Sequence, residues 1–396
     1  MTVRLARLED ICEINPRLPR DHGLQDDSEV SFVPMAAVSE VSGAIESATL
    51  RRYAEVRKGY TSFTDGDVLF AKITPCMENG KAALASGLAG GRGFGSTEFH
   101  VLRARELVLP EWLYYFVRRE PFRQEAKRNF TGTAGQQRVP ASFLQGAMVP
   151  VPSLVEQRRI VDLLTRAEGI VRLRREAQQK AAELIPAIFV DMFGDPATNP
   201  RGWPVHALGS LAEVQGGLQV TRARAALPLE RPYLRVANVH RGRLDLTEMK
   251  SIRLTEAESR RTALQAGDLL VVEGHGNPEE VGRVAAWDGS IPDCTHQNHL
   301  IRARPYRDRL LPEYACTLLN SVAGRQTLLR AGKTTSGLST ISAQNVKSAT
   351  VMLPPVAEQA AFARQADAVA SLMQQQDEAQ VKAAATFDSL LARAFA

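Results

Sequence analysis

Cysteine is scarce in this chain, and the cysteines that it has are far apart. Cys12, Cys76, Cys294 and Cys316 include no close pair, which argues against a disulfide framework and fits reduced thiols in a cytoplasm. No apolar run approaches the length of a membrane-spanning helix, so no membrane partner is expected. Met1–Asp10 mixes basic and acidic residues without an apolar stretch, which predicts that it is not a signal peptide.

The surplus of basic over acidic residues is also small. The chain of 396 residues has 49 Lys and Arg against 44 Asp and Glu, a formal net charge of +5. Residues 196–354 carry a net charge of +6, whereas residues 1–152 carry only +1. A nucleic-acid-binding domain often has a larger surplus. If DNA is the ligand, binding must therefore depend on clustered side chains or on other subunits.

Recognisable catalytic motifs are absent as well. Thr327 stands where a phosphate-binding loop ending at Gly332-Lys333-Thr334 would require glycine, and no Ser/His/Asp or Cys/His arrangement stands out. Cys294, His296 and His299 are close enough in sequence to suggest a metal site. No fourth ligand is evident, and a polar strand edge is the favoured interpretation. These observations predict a chain without catalytic residues and without a bound metal.

Two long stretches with helical periodicity dominate what is present, at residues 153–195 and 355–396. Small or apolar residues recur in steps of three and four, which predicts two helices that contact each other along one seam. The predicted seam of the first helix is Ile160, Leu163, Ala167, Ile170, Ala177, Ala181, Leu184 and Ile188. That of the second is Phe362, Val369, Leu372, Ala379, Ala383 and Leu390. Pro186 is expected to kink or loosen the last turns of the first helix, and Gly194 to end it.

The regions before the two helices also resemble each other. Gly66-Asp67-Val68-Leu69 resembles Gly267-Asp268-Leu269-Leu270, and residues 100–105 resemble residues 299–304. The offsets stay near 200 and the order never changes, so one unit, a globular domain followed by a long helix, is present twice. A short linker follows the first helix, which predicts that the two helices run antiparallel in a pseudo-twofold arrangement.

Each globular part has a mixed pattern. Apolar runs bounded by Gly, Asp and Pro predict strands at Gly66–Ile73, Phe99–Arg103, Gly267–Glu273 and His299–Arg304. Helices are predicted at Pro110–Lys127 and Pro312–Leu329, and loops at Thr131–Val139 and Gly332–Thr340. We therefore predict an α+β fold, with two similar globular domains at residues 1–152 and 196–354. A pair of long antiparallel helices, a coiled coil, separates the domains.

Polar loops at matching positions in the two domains are candidates for DNA contacts. Arg, Lys, Asn and Gln pair with base edges, while Ser and Thr suit phosphates. The candidates in the first domain are Lys72, Asn79, Lys81, Arg92, Thr131, Thr133, Gln136, Gln137 and Arg138. Those in the second are Arg222, Arg224, His275, Asn277, Arg283, Lys333, Thr334, Thr335, Ser336 and Ser339. For any one of them a solvated loop residue is the alternative, so the hypothesis depends on the set as a whole.

Over essentially its whole length the chain resembles the specificity (S, or HsdS) subunit of type I restriction–modification enzymes. The resemblance is carried by residues 150–161, Ile188–Asp195, the Gly66-Asp67 and Gly267-Asp268 strands, and Leu353-Pro354-Pro355. The departures are Pro186 and Ala360-Ala361-Phe362, where the first helix has Arg158-Arg159-Ile160.

This resemblance implies that the globular parts are target-recognition domains, each reading one half of a bipartite, asymmetric site in double-stranded DNA. It implies that the helices space these domains and bind two methyltransferase (M) subunits, which methylate adenine with S-adenosylmethionine. A restriction (R) subunit that uses ATP and Mg²⁺ is a further partner in the family. The chain itself would have no catalytic centre and no cofactor, and would be cytoplasmic in a bacterium or archaeon. The alternatives are a protein-binding coiled-coil adaptor, and a methyltransferase or nuclease with an unrecognised site.

Overall fold

The computed structural model describes residues 4–133, 135–330, 333–335 and 338–396, and for 333–335 and 338–339 only the backbone. It divides into two compact units. Unit 1 comprises Met1–Glu176 with Glu378–Ala396, and unit 2 comprises Ala177–Asp377. None of the helices in the described part of the chain combines the length and hydrophobicity that a membrane span requires.

Unit 1 is built on two four-stranded sheets, with strand orders β2-β9-β6-β7 and β4-β3-β8-β5, and a β1-β10 pair. The strands are β1 Arg4–Arg7, β2 Cys12–Ile14, β3 Glu29–Val33, β4 Thr49–Arg52, β5 Thr61–Thr64, β6 Val68–Ala71, β7 Ala82–Leu84, β8 Arg92–Gly95, β9 Phe99–Ala104 and β10 Met148–Val151. The helices are α1 Leu8–Ile11, α2 Tyr53–Val56, α3 Pro110–Arg118, α4 Glu120–Arg128, α5 Ala141–Gly146 and the first part of α6 Leu154–Phe193.

Unit 2 repeats the first of these sheets as β12-β20-β17-β18 and adds a three-stranded sheet, β16-β13-β19, with three strand pairs, β11-β23, β14-β15 and β21-β22. The strands are β11 Val205–Ala207, β12 Ala212–Gly216, β13 Leu229–Leu234, β14 Val239–His240, β15 Arg243–Leu244, β16 Lys250–Leu254, β17 Leu269–Val272, β18 Val284–Ala286, β19 Thr295–His296, β20 Leu300–Pro305, β21 Lys333–Thr335, β22 Leu338–Thr340 and β23 Thr350–Met352. The helices are the second part of α6, α7 Glu256–Thr262, α8 Pro312–Asn320, α9 Val322–Leu329, α10 Ala343–Ser348 and the first part of α11 Val356–Ala394, whose second part belongs to unit 1.

The predicted strands lie at β6, β9, β17 and β20, but each of the two predicted shorter helices is divided in two. Arg119 has ψ 138° and separates α3 from α4, and Ser321 has ψ 159° and separates α8 from α9. Both residues are therefore in extended conformation, which an α-helix does not tolerate. The hydrophobic pattern continues across both breaks, so periodicity alone could not locate them.

The structure also corrects the register of the sequence repeat. Asp67 accepts both hydrogen bonds of the Arg103 guanidinium, at 2.8 and 2.7 Å. Asp268 does the same for Arg304, at 2.7 Å for each bond. Arg103 therefore corresponds to Arg304 and not, as predicted, to Arg302. The sequence alternates Arg-Ala-Arg here, and a shift of two residues leaves every strand side chain on the same face, so the pattern fits both registers.

The two long helices are antiparallel, as predicted. In unit 1, Leu164 near the start of α6 shares a hydrophobic core with Phe395, which follows the end of α11. In unit 2, Phe189 and Phe193 near the end of α6 share a core with Phe362 near the start of α11. In each unit the beginning of one helix therefore meets the end of the other. Helix α6 continues through Pro186, and Gly194, with φ +81°, follows its end.

The buried face of α6 lies next to the predicted seam. Leu163, Ile170 and Leu184 are 44%, 50% and 41% exposed. Val161 and Leu164 are instead only 7% and 1% exposed. Among the other predicted seam residues, Ala181 is buried, Ile160, Ala167 and Ile188 are half-buried, and Ala177 is exposed. A three-and-four spacing fits two adjacent lines on a helix, and four of the eight predicted residues, Leu163, Ile170, Ala177 and Leu184, lie on the exposed one.

The seam of α11 is predicted better. Phe362 is fully buried, and Val369, Ala379, Ala383 and Leu390 are half-buried. Leu372, however, is 43% exposed, and the neighbouring Met373 takes the half-buried position.

A buried glutamine anchors the first turn of each long helix to the loop before α3 or α8. Gln157 accepts a hydrogen bond from the Leu109 amide at 2.9 Å and donates to the carbonyls of Leu107 and Pro152. In unit 2, Gln359 accepts from the amide of Leu311 and donates to two carbonyls in the same way. Both glutamines are 0% exposed. Each side-chain amide therefore makes the hydrogen bonds that three backbone groups would otherwise make with water.

Candidate nucleic-acid interface

In unit 1 the loop after β6 and the loop after α4 form one surface. The Val139 amide donates to the Lys72 carbonyl at 2.9 Å, and the Thr74 amide donates to the Gln137 carbonyl at 3.0 Å. Thr131 and Arg138 exchange two backbone hydrogen bonds of 2.9 Å, which closes the second loop on itself. The structure therefore brings together the predicted residues at 72 and 131–138.

Within this surface the side chains have different roles. Arg138 donates two hydrogen bonds of 2.8 Å to Glu98, and the paired guanidinium holds the pKa of Glu98 below its usual range. Arg138 is therefore largely neutralised and fixes the loop. Thr131, Thr133 and Gln136 are exposed, and they are the side chains at this site best placed to meet a ligand.

The other candidates of unit 1 do not all join this surface. The Lys81 ammonium donates to the Met35 carbonyl at 3.3 Å, and the Asn79 amide donates to Glu40 at 3.4 Å. Arg92 lies opposite Thr64 in the pair of strands β5 and β8. Thr64 precedes β6 in the chain, whereas Lys72 follows the end of β6. Arg92 therefore lies at the opposite end of β6 from the surface.

Unit 2 places a hairpin where unit 1 has its second loop. The Ile341 amide donates to the Glu273 carbonyl at 2.8 Å, and Gly274 forms a bridge with Thr340. Strands β21 and β22 pair Lys333 with Thr340, so the segment predicted as a loop is a hairpin in its described part. The side chains of the candidates Lys333, Thr334, Thr335 and Ser339, and the whole of Ser336, lie outside the described residues.

Several cationic candidates of unit 2 are engaged within the fold. Arg283 is 5% exposed and donates to Glu280 at 2.8 Å and to the Val236 carbonyl at 2.7 Å. Arg224 donates to both carboxylate oxygens of Glu258 at 3.1 and 2.9 Å, and these bonds lower the pKa of Glu258 to about 2. Because Arg283 is buried and the Arg224 guanidinium is held by Glu258, we interpret these two arginines as structural residues and not as free contacts for DNA.

The remaining candidates of unit 2 lie at the surface. His275 accepts a hydrogen bond from the Asn277 amide at 3.0 Å, and the Asn277 side chain accepts one from the Glu279 amide at 3.0 Å. Both side chains therefore shape the turn between β17 and β18. Arg222 is exposed, in a 3₁₀ turn that packs against β16.

The residues considered for a metal site do not form one. In the described part of the chain no group of three or more His, Cys, Asp or Glu could hold a metal ion. Cys294 and His296 are 2% and 0% exposed. The side chain of His299 is instead 60% exposed and lies 3.4 Å from the carboxylate of Glu273.

Buried His296 predicts a pH-dependent stability of unit 2. Burial, with the nearby Arg302 guanidinium, lowers the pKa of His296 from 6.5 to about 4. Below pH 6.5 the unfolded chain binds this proton and the folded chain does not, so the free energy of unfolding should fall by about 3 kcal/mol from pH 6.5 to pH 4. Urea denaturation of His296→Leu should lack this part of the decrease. His299→Leu is the exposed control, and an equal pH dependence in all three proteins would contradict the prediction.

One basic feature of unit 2 was not predicted from the sequence. The short hairpin β14–β15 has the sequence Val239-His240-Arg241-Gly242-Arg243-Leu244, and Arg241 and Arg243 at its turn are exposed. A comparison of the two sequence repeats could have found these arginines, because the corresponding segment of the first domain contains Glu40 and no basic residue.

The sequence and the fold of this chain are similar to those of known proteins. A family described as the type I restriction modification DNA specificity domain matches residues 2–183. The chain is 40% identical over 161 residues to the EcoEI specificity subunit of Escherichia coli, a match that covers 40% of this chain and 26% of that protein. It is 28% identical over 317 residues to the EcoKI specificity subunit of E. coli K12, covering 74% of this chain and 67% of the relative.

The fold agrees with these sequence matches. A chain from a structural study of complex assembly and conformational transition in a type I R-M system covers 99% of this chain, and 97% of its own length is matched. The TM-score is 0.61 at 22% sequence identity, which shows a shared fold. Residues 2–183 therefore belong to the type I restriction modification DNA specificity domain family, and unit 2 repeats the first sheet order of unit 1.

Proposed function

We propose that this chain is the DNA-recognition subunit of a type I restriction–modification complex and that it has no catalytic role itself. The observation that carries the proposal is that a second segment lies hydrogen-bonded beside the end of an equivalent strand in each unit, after β6 and after β17. Two such surfaces, with Thr133 and Gln136 in one and the β21–β22 hairpin in the other, suit two different half-sites. The globular domains would be target-recognition domains at 1–152 and 196–354, with spacer helices at 153–195 and 355–396.

The exposed face of α6 supports a protein partner in addition to DNA. Leu163, Ile170 and Leu173, all in unit 1, are 44%, 50% and 60% exposed. They follow each other at helical spacing and leave an apolar stripe uncovered by this chain, which is typical of a helix that binds another helix. In the proposed complex, two methyltransferase subunits cover such surfaces. Those subunits, with a restriction subunit where one is present, would bring S-adenosylmethionine, ATP and Mg²⁺.

Methylome sequencing tests this proposal directly. Deleting the gene for this chain should remove adenine methylation at one bipartite DNA motif, and restoring the gene should restore it. Purified with its methyltransferase subunits, the chain should bind a duplex with that motif more tightly than it binds alone, because its own net charge is small. An unchanged methylome after deletion would overturn the proposal.

A further inference from the structure

The two units have equivalent connections that differ sharply in charge. In unit 2, Val239 pairs with Leu244 in the β14–β15 hairpin. In unit 1, Val38 forms the corresponding bridge with Ile45. The equivalence is supported by Lys81 and Arg283, each of which donates to the backbone carbonyl of a residue just before this connection.

The sequences between these paired residues carry opposite charge. Unit 1 has Ser-Glu-Val-Ser-Gly-Ala at residues 39–44, with a net charge of −1, whereas unit 2 has His-Arg-Gly-Arg at residues 240–243, with a net charge of +2. The difference of three charges is more than half of the excess of residues 196–354 over residues 1–152, which carry +6 and +1. This hairpin is therefore a main source of the charge difference between residues 196–354 and residues 1–152.

The fold presents the two arginines of the hairpin to solvent. Gly242 has φ +69°, which a residue with a side chain rarely adopts, and its amide donates to the Val284 carbonyl at 2.8 Å. The turn is thus held against the start of β18, and Arg241 and Arg243 on either side of it are exposed.

The donors of these arginines are mostly unused within the described part of the chain. Arg241 donates to the Glu279 carbonyl, which leaves most of its five N–H donors available. No hydrogen bond or ion pair of the Arg243 side chain is found among the described residues. Burial, together with the Arg243 and Arg283 guanidinium groups and against Asp245 and Glu280, lowers the pKa of the adjacent His240, so His240 adds no positive charge near neutral pH.

We propose that the β14–β15 hairpin of unit 2 is a phosphate-binding element, through which Arg241 and Arg243 contact the backbone of duplex DNA. The guanidinium fork matches the geometry of phosphate oxygens. Unit 1 has no equivalent element, since Glu40 occupies the corresponding connection. This inference rests on the proposed function and adds to it that the second recognition domain contributes more of the sequence-independent affinity.

The test is the salt dependence of DNA binding by the full chain, measured with a mixed-sequence duplex between 25 and 150 mM salt. The slope of log K against log salt is negative, and the double variant Arg241→Ala/Arg243→Ala should make it less steep by about 1.8, at about 0.9 for each lost phosphate contact. The control is Arg260→Ala/Arg261→Ala on α7, which removes the same charge from two exposed arginines in the same unit. It should leave the slope close to the wild-type value.

The outcomes separate this inference from the proposed function. Absence of salt-sensitive DNA binding by the wild-type chain, both alone and with its methyltransferase subunits, would overturn both. Normal wild-type binding with equal slopes for the two double variants would overturn only the role of the hairpin. Loss of association with the methyltransferase subunits, at an unchanged slope, would instead assign the hairpin to a protein contact and would also overturn the inference. Equal thermal unfolding of the two variants is expected, because all four side chains are exposed.

Discussion

Replacing Phe395 by alanine is expected to lower the free energy of unfolding of unit 1 by about 3–5 kcal/mol, although the residue is next to last in the chain. Its ring centroid lies 4.3 Å from that of Trp112 and 5.8 Å from that of Phe116, and the Arg119 guanidinium lies over it at 4.6 Å. Phe395 is only 7% exposed. Truncation would open a cavity between α3 and the residues that follow α11.

Hydrogen exchange can follow the effect of Phe395→Ala on unit 1 alone. Protection in β6 and β9 should fall by about 100- to 4,000-fold, since each tenfold change corresponds to about 1.4 kcal/mol. Strands β17 and β20 of unit 2 provide an internal reference. The control is Val381→Ala on α11, a residue that is 69% exposed and should change protection very little. Similar protection in Phe395→Ala and Val381→Ala would show that the end of the chain does not stabilise the core.

Replacing Gln157 by leucine should be about as damaging, for a different reason. The substitution nearly preserves volume and removes no apolar contact, but it leaves the amide of Leu109 and the carbonyls of Leu107 and Pro152 without a partner. Each buried group without a hydrogen bond costs about 1–3 kcal/mol. We therefore expect a loss of about 3–5 kcal/mol, with the effect confined to unit 1.

Gln359 provides the matched experiment in unit 2. Gln359→Leu should destabilise unit 2 by a similar amount, because its three hydrogen bonds have the same kinds of partner. The two effects should be separable by hydrogen exchange in β9 and β20. The control is Gln179, an exposed glutamine on α6, the helix that carries Gln157. Gln179→Leu should change the free energy of unfolding by less than about 0.5 kcal/mol. Gln157→Leu with wild-type stability would mean that water satisfies these backbone groups.

Much of the fold could be predicted because the chain contains the same unit twice. The Gly-Asp pairs at 66–67 and 267–268 precede β6 and β17, and both long helices are evident from their periodicity. Exact registers were harder to predict. A two-residue shift in Arg-Ala-Arg is invisible to strand periodicity, and a one-residue shift in the seam of α6 is resolved only by knowing which side chains α11 presents.

The candidate site was only partly predictable, because a sequence does not show which charged side chains are paired. Arg138, Arg224 and Arg283 have the residue type expected of a DNA contact, yet each donates to a carboxylate within its own unit. The hairpin arginines 241 and 243 have the same residue type and remain exposed. The difference depends on tertiary contacts between residues far apart in sequence, such as Glu98 with Arg138.

The central claim, that each globular domain reads its own half of a DNA site, is tested most directly by exchanging one domain. Residues 203–352 would be replaced by the same domain of a relative with a different known specificity, and the methylation motif of the resulting complex would be mapped. Because the surfaces after β6 and β17 are built from separate residues, one half of the motif should change and the other half should stay the same. A motif in which both halves change, or neither changes, would contradict the account.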